Sequence, residues 1–193
     1  MFKILSRYYI LYLMNIGFDL DRIFINTPPF IPAAIIERLY RKKSNGILLY
    51  RIPSRQEQII RIISHHPLFR PGIKKNLTFV KSLASTNNNQ LFLISSRFAF
   101  LKKQTDGIVK KHKLEIIFQK LYFNFADIQP HIFKLEIINK LKLDKFVDDD
   151  LYLLKYIASK NNHTKLYWLN KKLNKKISKN IRAITRISDI VDK

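Results

Sequence analysis

The chain has 193 residues, a formal net charge of +22 and no cysteine, which excludes a disulfide scaffold, a thiolate zinc site and a cysteine nucleophile. With 47% hydrophobic and 26% charged residues, and only 4 glycines and 7 prolines, it has apolar material for a packed core and too few breakers for a linker protein. One globular domain with a small insertion is expected. The charge suits polyanion binding, but Lys and Arg are spread over nearly every segment. A solvated basic exterior is therefore favoured over a dedicated nucleic-acid surface.

At the amino end, Lys3 and Arg7 precede an apolar stretch from Tyr8 to Met14. It is far shorter than the roughly 18 to 20 residues that cross a bilayer, and no small-residue cleavage site follows before Asp19 and Asp21. The reading is a cytoplasmic protein without a membrane segment, in which residues 1–13 form an extension that the fold does not need.

Asn15 to Phe18 is a short apolar run of buried-strand type that ends in Asp19-Leu20-Asp21. Ile35, Ile36, Leu39 and Tyr40 recur at helical spacing, Arg41 to Lys43 suit a helix carboxyl end, and Asn45-Gly46 supplies a stop, so a helix is expected from Ile31 to Lys43. A second helix opens at Ser54, whose spacing to Glu57 fits a capping box, with Ile59, Ile60, Ile62 and Ile63 as its expected buried stripe. After Pro71-Gly72 a third helix carries Ile73, Leu77, Val80, Leu83 and Ala84, and Leu91 to Ile94 is another buried strand, ending in Ser95. A helix over Asp106 to His112, a strand over Lys120 to Phe125 and an amphipathic helix from Lys134 to Leu141 follow. The strand Lys145 to Val147 runs into Asp148-Asp149-Asp150, directly before a helix with Leu151, Leu153, Leu154 and Ile157. Lys165 to Leu169 reads as a further strand, with Trp168 packed against a helix, before a lysine-rich stretch and a closing segment from Ile181 to Val191.

Strands alternating with helices imply an α/β fold, a parallel sheet covered on both faces, whose function sits at the carboxyl ends of the strands. The polar residues gather at those ends: Asp19 and Asp21 after the first strand, Ser95 after a second, and the Asp run after another. No glycine-rich phosphate loop is present, so a dinucleotide or Walker-type site is not expected. Two carboxylates separated by one residue share a face, and one can attack phosphorus while the other moves protons. Converging carboxylates need a hard cation between them, which suits Mg²⁺, while a lysine and a hydroxyl hold phosphoryl oxygens.

These residues resemble the haloacid dehalogenase (HAD) superfamily of aspartate-nucleophile phosphatases. Asn15-Ile-Gly-Phe-Asp19-Leu-Asp21 is similar to its first motif, Leu91-Phe-Leu-Ile-Ser95 to its second, and Lys134 with Leu143-Asp144-Lys-Phe-Val-Asp148-Asp149 to its third and fourth. The resemblance runs from about Met14 to the end. It implies a Rossmann-like parallel sheet with helices on both faces, built from residues 14–26 and 71–193, and a small helical cap over residues 27–70, inserted after the first strand. By the same resemblance Asp19 is nucleophile and metal ligand, Asp21 general acid and base and a further ligand, Ser95 and Lys134 phosphate-binding, and Asp148 and Asp149 the rest of a Mg²⁺ site. The implied activity is Mg²⁺-dependent hydrolysis of a small phosphomonoester through an aspartyl-phosphate, and the short insertion with the acidic pair is most similar to the nucleotidase-related branch.

Within the insertion Phe30, Tyr50, Arg51, Arg55 and His66 are the candidate substrate-gripping side chains. The pattern departs from the family at Arg22, where glycine is common; arginine there either crowds the turn or places a cation beside the substrate entrance. The competing reading is a catalytically idle binding protein on the same scaffold, holding nucleic acid or an acidic partner through its basic surface. The presence of every catalytic residue type favours the enzyme.

Overall fold

The computed structural model describes residues 13–28, 41–44, 47–86, 89–170 and 176–191. Phe30 and most of the expected helix from Ile31 to Lys43 lie outside them. In chain order the strands are β1 (Met14–Phe18), β2 (Arg41–Ser44), β3 (Ile47–Tyr50), β4 (Asn89–Ser95), β5 (Lys120–Phe123), β6 (Lys145–Asp148), β7 (Lys165–Leu169) and β8 (Ile181–Ile184). The described helices are α1 (Arg55–Ser64), α2 (Lys74–Ser85), α3 (Lys102–His112), α4 (Leu114–Ile117), α5 (Pro130–Lys140) and α6 (Leu151–Lys160).

Six strands form one parallel sheet in the order β5-β4-β1-β6-β7-β8. From β1 near the middle the sheet builds outward through β4 and β5, then the chain crosses back to the other side of β1 to lay down β6, β7 and β8. That reversal opens a crevice at the carboxyl ends of β4, β1 and β6, the place where open α/β sheets bind ligands.

Side chains alternate across the sheet, and the core divides accordingly. Ile16, Phe18, Leu91, Leu93 and Val147 face α2, α3 and α4, where they meet Val80, Leu83, Ile108 and Leu114. Phe92, Ile94, Phe146 and Leu166 face α5 and α6, against Phe133, Ile138, Leu153, Leu154 and Ile157. Burial on both faces explains why these strands read as unbroken apolar runs instead of alternating ones.

Two local expectations change. The end of the helix expected from Ile31 to Lys43 is strand: Arg41–Ser44 pairs antiparallel with Ile47–Tyr50, Arg41 opposite Tyr50. Asn45-Gly46, read as a helix stop, is equally the dipeptide most favoured between hairpin strands, so the sequence signal fits both outcomes. In α1 the capping box of Ser54 and Glu57 is present, but the isoleucine stripe is reversed. Ile59, Ile60 and Ile63 are 58 to 60% exposed while Arg61 is buried, and His65, just past the helix, is buried with it. Hydrophobic periodicity defines two faces of a helix, and here the polar face is the one turned toward the protein.

No helix among the described residues is long and apolar enough to cross a membrane.

Gly17 lies where β1 passes closest to its neighbours. An added Cβ would sit 2.5 Å from Leu143 Cδ1 and 2.9 Å from Phe146 Cδ2. Gly17→Val is therefore expected to lower stability by about 1 to 3 kcal/mol through overpacking, read as a lower urea midpoint; an unchanged midpoint would contradict this packing.

Candidate active site

β1 ends at Phe18, and the next residue, Asp19, is fixed by its own backbone N–H donating to the Val147 carbonyl at 2.9 Å. Asp148 closes the neighbouring strand β6. Lys134, on α5, reaches up between the two carboxylates and donates to Asp19 Oδ1 and Asp148 Oδ2, both at 2.7 Å. All three side chains are buried. Asp149 follows, and oxygens of Asp19, Asp148 and Asp149 lie within 4.8 Å of one another. Three carboxylates so close, with one lysine among them, suit a hard divalent cation with oxygen ligands, so the residues present fit Mg²⁺.

The electrostatics follow from burial and crowding. Burial raises the Asp19 carboxyl, Lys134 pulls it down, and the charges of Asp148 and Asp21 push it up again, to about 7. Asp148 is pushed up to about 6 by burial, opposed by Lys134 and reinforced by Asp149. Asp149 rises to about 7 through burial and the nearby Asp19, against the pull of Arg22. Burial disfavours the Lys134 charge, but Asp148 and Asp19 outweigh it and hold the ammonium well above the usual lysine range.

Ser95 ends β4, beside Asp19 across the sheet. Its hydroxyl is fully buried, lines the same cavity as Asp19 and Lys134, and makes no hydrogen bond among the described residues. A buried hydroxyl without a partner is costly unless a ligand supplies one.

Asp21 is placed differently from the expectation. Its carboxylate is not in the acidic group but is gripped by Arg97, which donates from Nε at 2.8 Å and from a terminal nitrogen at 2.9 Å, and by Arg70. Burial opposes the Asp21 charge, yet Arg97 and Arg70 outweigh it and hold the carboxyl well below the usual range. The divergence arises because the chain leaves the strand register after Asp19 and turns at residues 22–24. Arg22 sits at φ 59°, the left-handed conformation that glycine favours. Arg22 thus adopts the tight turn and donates to Asp149 at 3.0 Å.

The remaining candidates separate. Tyr50 lines the cavity, donating its hydroxyl to Asp150 at 2.7 Å, while its backbone exchanges hydrogen bonds with the Gln129 side chain. Asp150 in turn caps α6 by accepting from the backbones of Tyr152 and Leu153. Arg51 is exposed and paired with Glu57, and Arg55 and His66 are exposed and outside the cavity. In their place come Arg61, His65, Arg70 and Arg97, which line it. His65 is held by the Arg61 carbonyl at 2.8 Å, and burial together with Arg97 and Arg70 pushes its imidazole down to about 3, so it is neutral at pH 7. Trp168 donates from its indole to the Asp149 carbonyl at 3.0 Å, which fixes the acidic turn.

Removing Lys134 would leave Asp19 and Asp148 facing each other in the interior. Lys134→Ala is expected to cost about 3 kcal/mol or more at pH 8. The loss should shrink at pH 5: Lys134 pulls both carboxyls down, so without it burial and their mutual repulsion push them higher still, both bind protons in acid, and the repulsion is gone. Urea unfolding at the two pH values checks this, and an equal loss at both would refute it.

No family model matches the chain, and no curated protein matches it. Solved structures do. A protein described as a haloacid dehalogenase-like hydrolase from Bacteroides fragilis superposes with a TM-score of 0.61 at 12% identity, over 93% of this chain and all of that one. One described as a beta-phosphoglucomutase from Thermotoga maritima gives 0.56 at 15% identity, over 92% of this chain and 96% of the other. A HAD family enzyme from Bacteroides thetaiotaomicron, in complex with magnesium and inorganic phosphate, gives 0.52 at 16% identity, over 84% of this chain and 96% of its own. At these identities the likeness concerns the backbone, and it extends over nearly the whole chain: this protein has the haloacid dehalogenase-like fold.

Proposed function

We propose that the chain is a Mg²⁺-dependent phosphomonoester hydrolase working through an aspartyl-phosphate on Asp19. The observation that carries the reading is the convergence, at the ends of three adjacent strands, of Asp19, the Lys134 bridge to Asp148 and a buried Ser95 hydroxyl that awaits a partner. The solved structure with magnesium and phosphate bound supports it by fold.

Asp19, Asp148 and Asp149 would hold the cation. When bound, Mg²⁺ neutralises carboxylate charge and polarises a phosphoryl oxygen. An Asp19 oxygen forms the bond to phosphorus as the bond to the ester oxygen breaks, and the departing alkoxide takes a proton from an acid at the site. Water then attacks the acyl phosphate, giving up a proton and releasing inorganic phosphate and free Asp19. Lys134 holds Asp19 in line and meets the phosphoryl charge, and the Ser95 hydroxyl donates to a phosphoryl oxygen. Asp21 is the proton-transfer group in this scheme, and its contact with Arg97 and Arg70 has to be exchanged before it reaches the leaving oxygen. Residues 27–70 act as a cap: β3 is tied to the core through Tyr50, and α1 turns Arg61 and His65 toward the cavity. A nucleoside monophosphate is the substrate class implied by the nucleotidase-like motif and short insertion.

Phosphate release from a panel of monoesters is expected to require Mg²⁺ and to fall on the order of a thousandfold or more in Asp19→Asn, with the fold kept by circular dichroism. Release that ignores both the chelator and the substitution would sink the assignment. Binding of nucleic acid that weakens steeply with salt and is indifferent to Asp19→Asn would support the binding-protein alternative instead.

Ser95→Ala separates function from structure. Because the hydroxyl has no partner in the described structure, its loss should leave the melting temperature unchanged or raised, while activity drops on the order of a hundredfold. A destabilised but fully active variant would overturn the phosphate-binding role.

A further inference from the structure

The cavity has two chemically distinct ends. Near the strand termini lie the acidic group and Lys134. Toward α1 and the return of the chain to the core, three guanidiniums line the wall: Arg61 on α1, Arg70 just after it, and Arg97 just beyond β4. Arg61, Arg70 and Arg97 are each at most 5% exposed, so these are not surface cations that happen to lie near a mouth. The whole space measures about 190 Å³, room for a small molecule.

One carboxylate is already seated there. Arg97 makes the two-pronged contact to Asp21 that a planar guanidinium makes with a planar carboxylate, and Arg70 shares one of the same oxygens. Two buried arginines converging on one internal carboxylate form a receptor whose shape and charge fit that group. The same internal carboxylate belongs to the residue that the proposed mechanism needs elsewhere.

We propose that the substrate is a small phosphorylated carboxylic acid, whose carboxylate occupies the Arg61, Arg70 and Arg97 end of the cavity in exchange for Asp21. This rests on the phosphomonoesterase reading and sets a small phosphorylated acid in place of the nucleoside monophosphate that the motif resemblance implies. The phosphoryl group lies at Asp19, Ser95 and Lys134; the carboxylate, a few bonds away, takes over the guanidiniums; and Asp21 is thereby free to approach the ester oxygen. A substrate tail without an anion leaves Asp21 in the arginine grip, so the tail acts on kcat as well as on KM.

The test compares pairs of esters of matched size, 2-phosphoglycolate against 2-hydroxyethyl phosphate and 3-phosphoglycerate against glycerol 3-phosphate, with a short bisphosphate and a nucleoside monophosphate alongside. For the wild type with Mg²⁺, kcat/KM is expected to favour each carboxylate by on the order of tenfold to a hundredfold, with part of the gain in kcat. Arg61→Met should collapse that ratio at least about tenfold and Arg61→Lys should restore part of it. The wild-type ratio needs no variant to fold. Equal rates within each pair, or a preference for the nucleoside monophosphate, would overturn the second-anion site while leaving the phosphatase reading standing. A bisphosphate outrunning both carboxylates would overturn the choice of carboxylate. No Mg²⁺-dependent release from any ester would overturn both readings together.

Discussion

One buried cation holds this molecule's working end together. Lys134 donates to Asp19 and to Asp148 at equal distances, and these residues come from α5, from the end of β1 and from the end of β6. Without the ammonium, the parallel packing of β1 on β6 would press two buried carboxylates together in a medium where their repulsion is poorly screened. The lysine therefore fixes the spacing of the strand ends, orients the Asp19 oxygen, and ties the helix layer to the sheet. The rest of the core, packed from Ile16, Phe18, Phe146 and their neighbours, places the backbone that makes this convergence unavoidable.

The strand-end chemistry was legible in the sequence for a definite reason. A buried parallel strand must be an unbroken apolar run, so the first polar residue after it marks the sheet's carboxyl edge; Asp19, Ser95 and Asp148 each stand at such a boundary. Lys134 was singled out through order and resemblance, and the structure sets its ammonium between Asp19 and Asp148. Asp21 shows where adjacency fails: the alternation that puts two residues on one face holds only while the chain remains a strand. The turn through Arg22 sends the second carboxylate to the arginines.

The arginine end was not legible, because its members are distant in sequence and meet only through the fold. Arg97 lies two residues beyond Ser95, and that strand-end position was the available signal. Arg70 and Arg61 had none beyond their place within the insertion. In α1 the isoleucines made the stronger pattern, yet the side turned inward is the one carrying Arg61, because what it covers is a cavity lined by charged side chains and not an apolar sheet. The hairpin was missed for a different reason, since Asn-Gly ends a helix or joins two strands equally well.

The choice of cation at each end is itself informative. A lysine ammonium is compact and can sit between two carboxylates as a point charge, donating to both, as Lys134 does. At the other end one planar carboxylate is met edge to edge, and Arg97 meets it with two donors. The chain as a whole carries a diffuse excess of positive charge, which attracts any anion and distinguishes none. Discrimination requires cations that are buried, fixed and shaped, and within the cavity lysine and arginine divide by geometry, the ammonium between two carboxylates and the guanidiniums of Arg97 and Arg70 on a third.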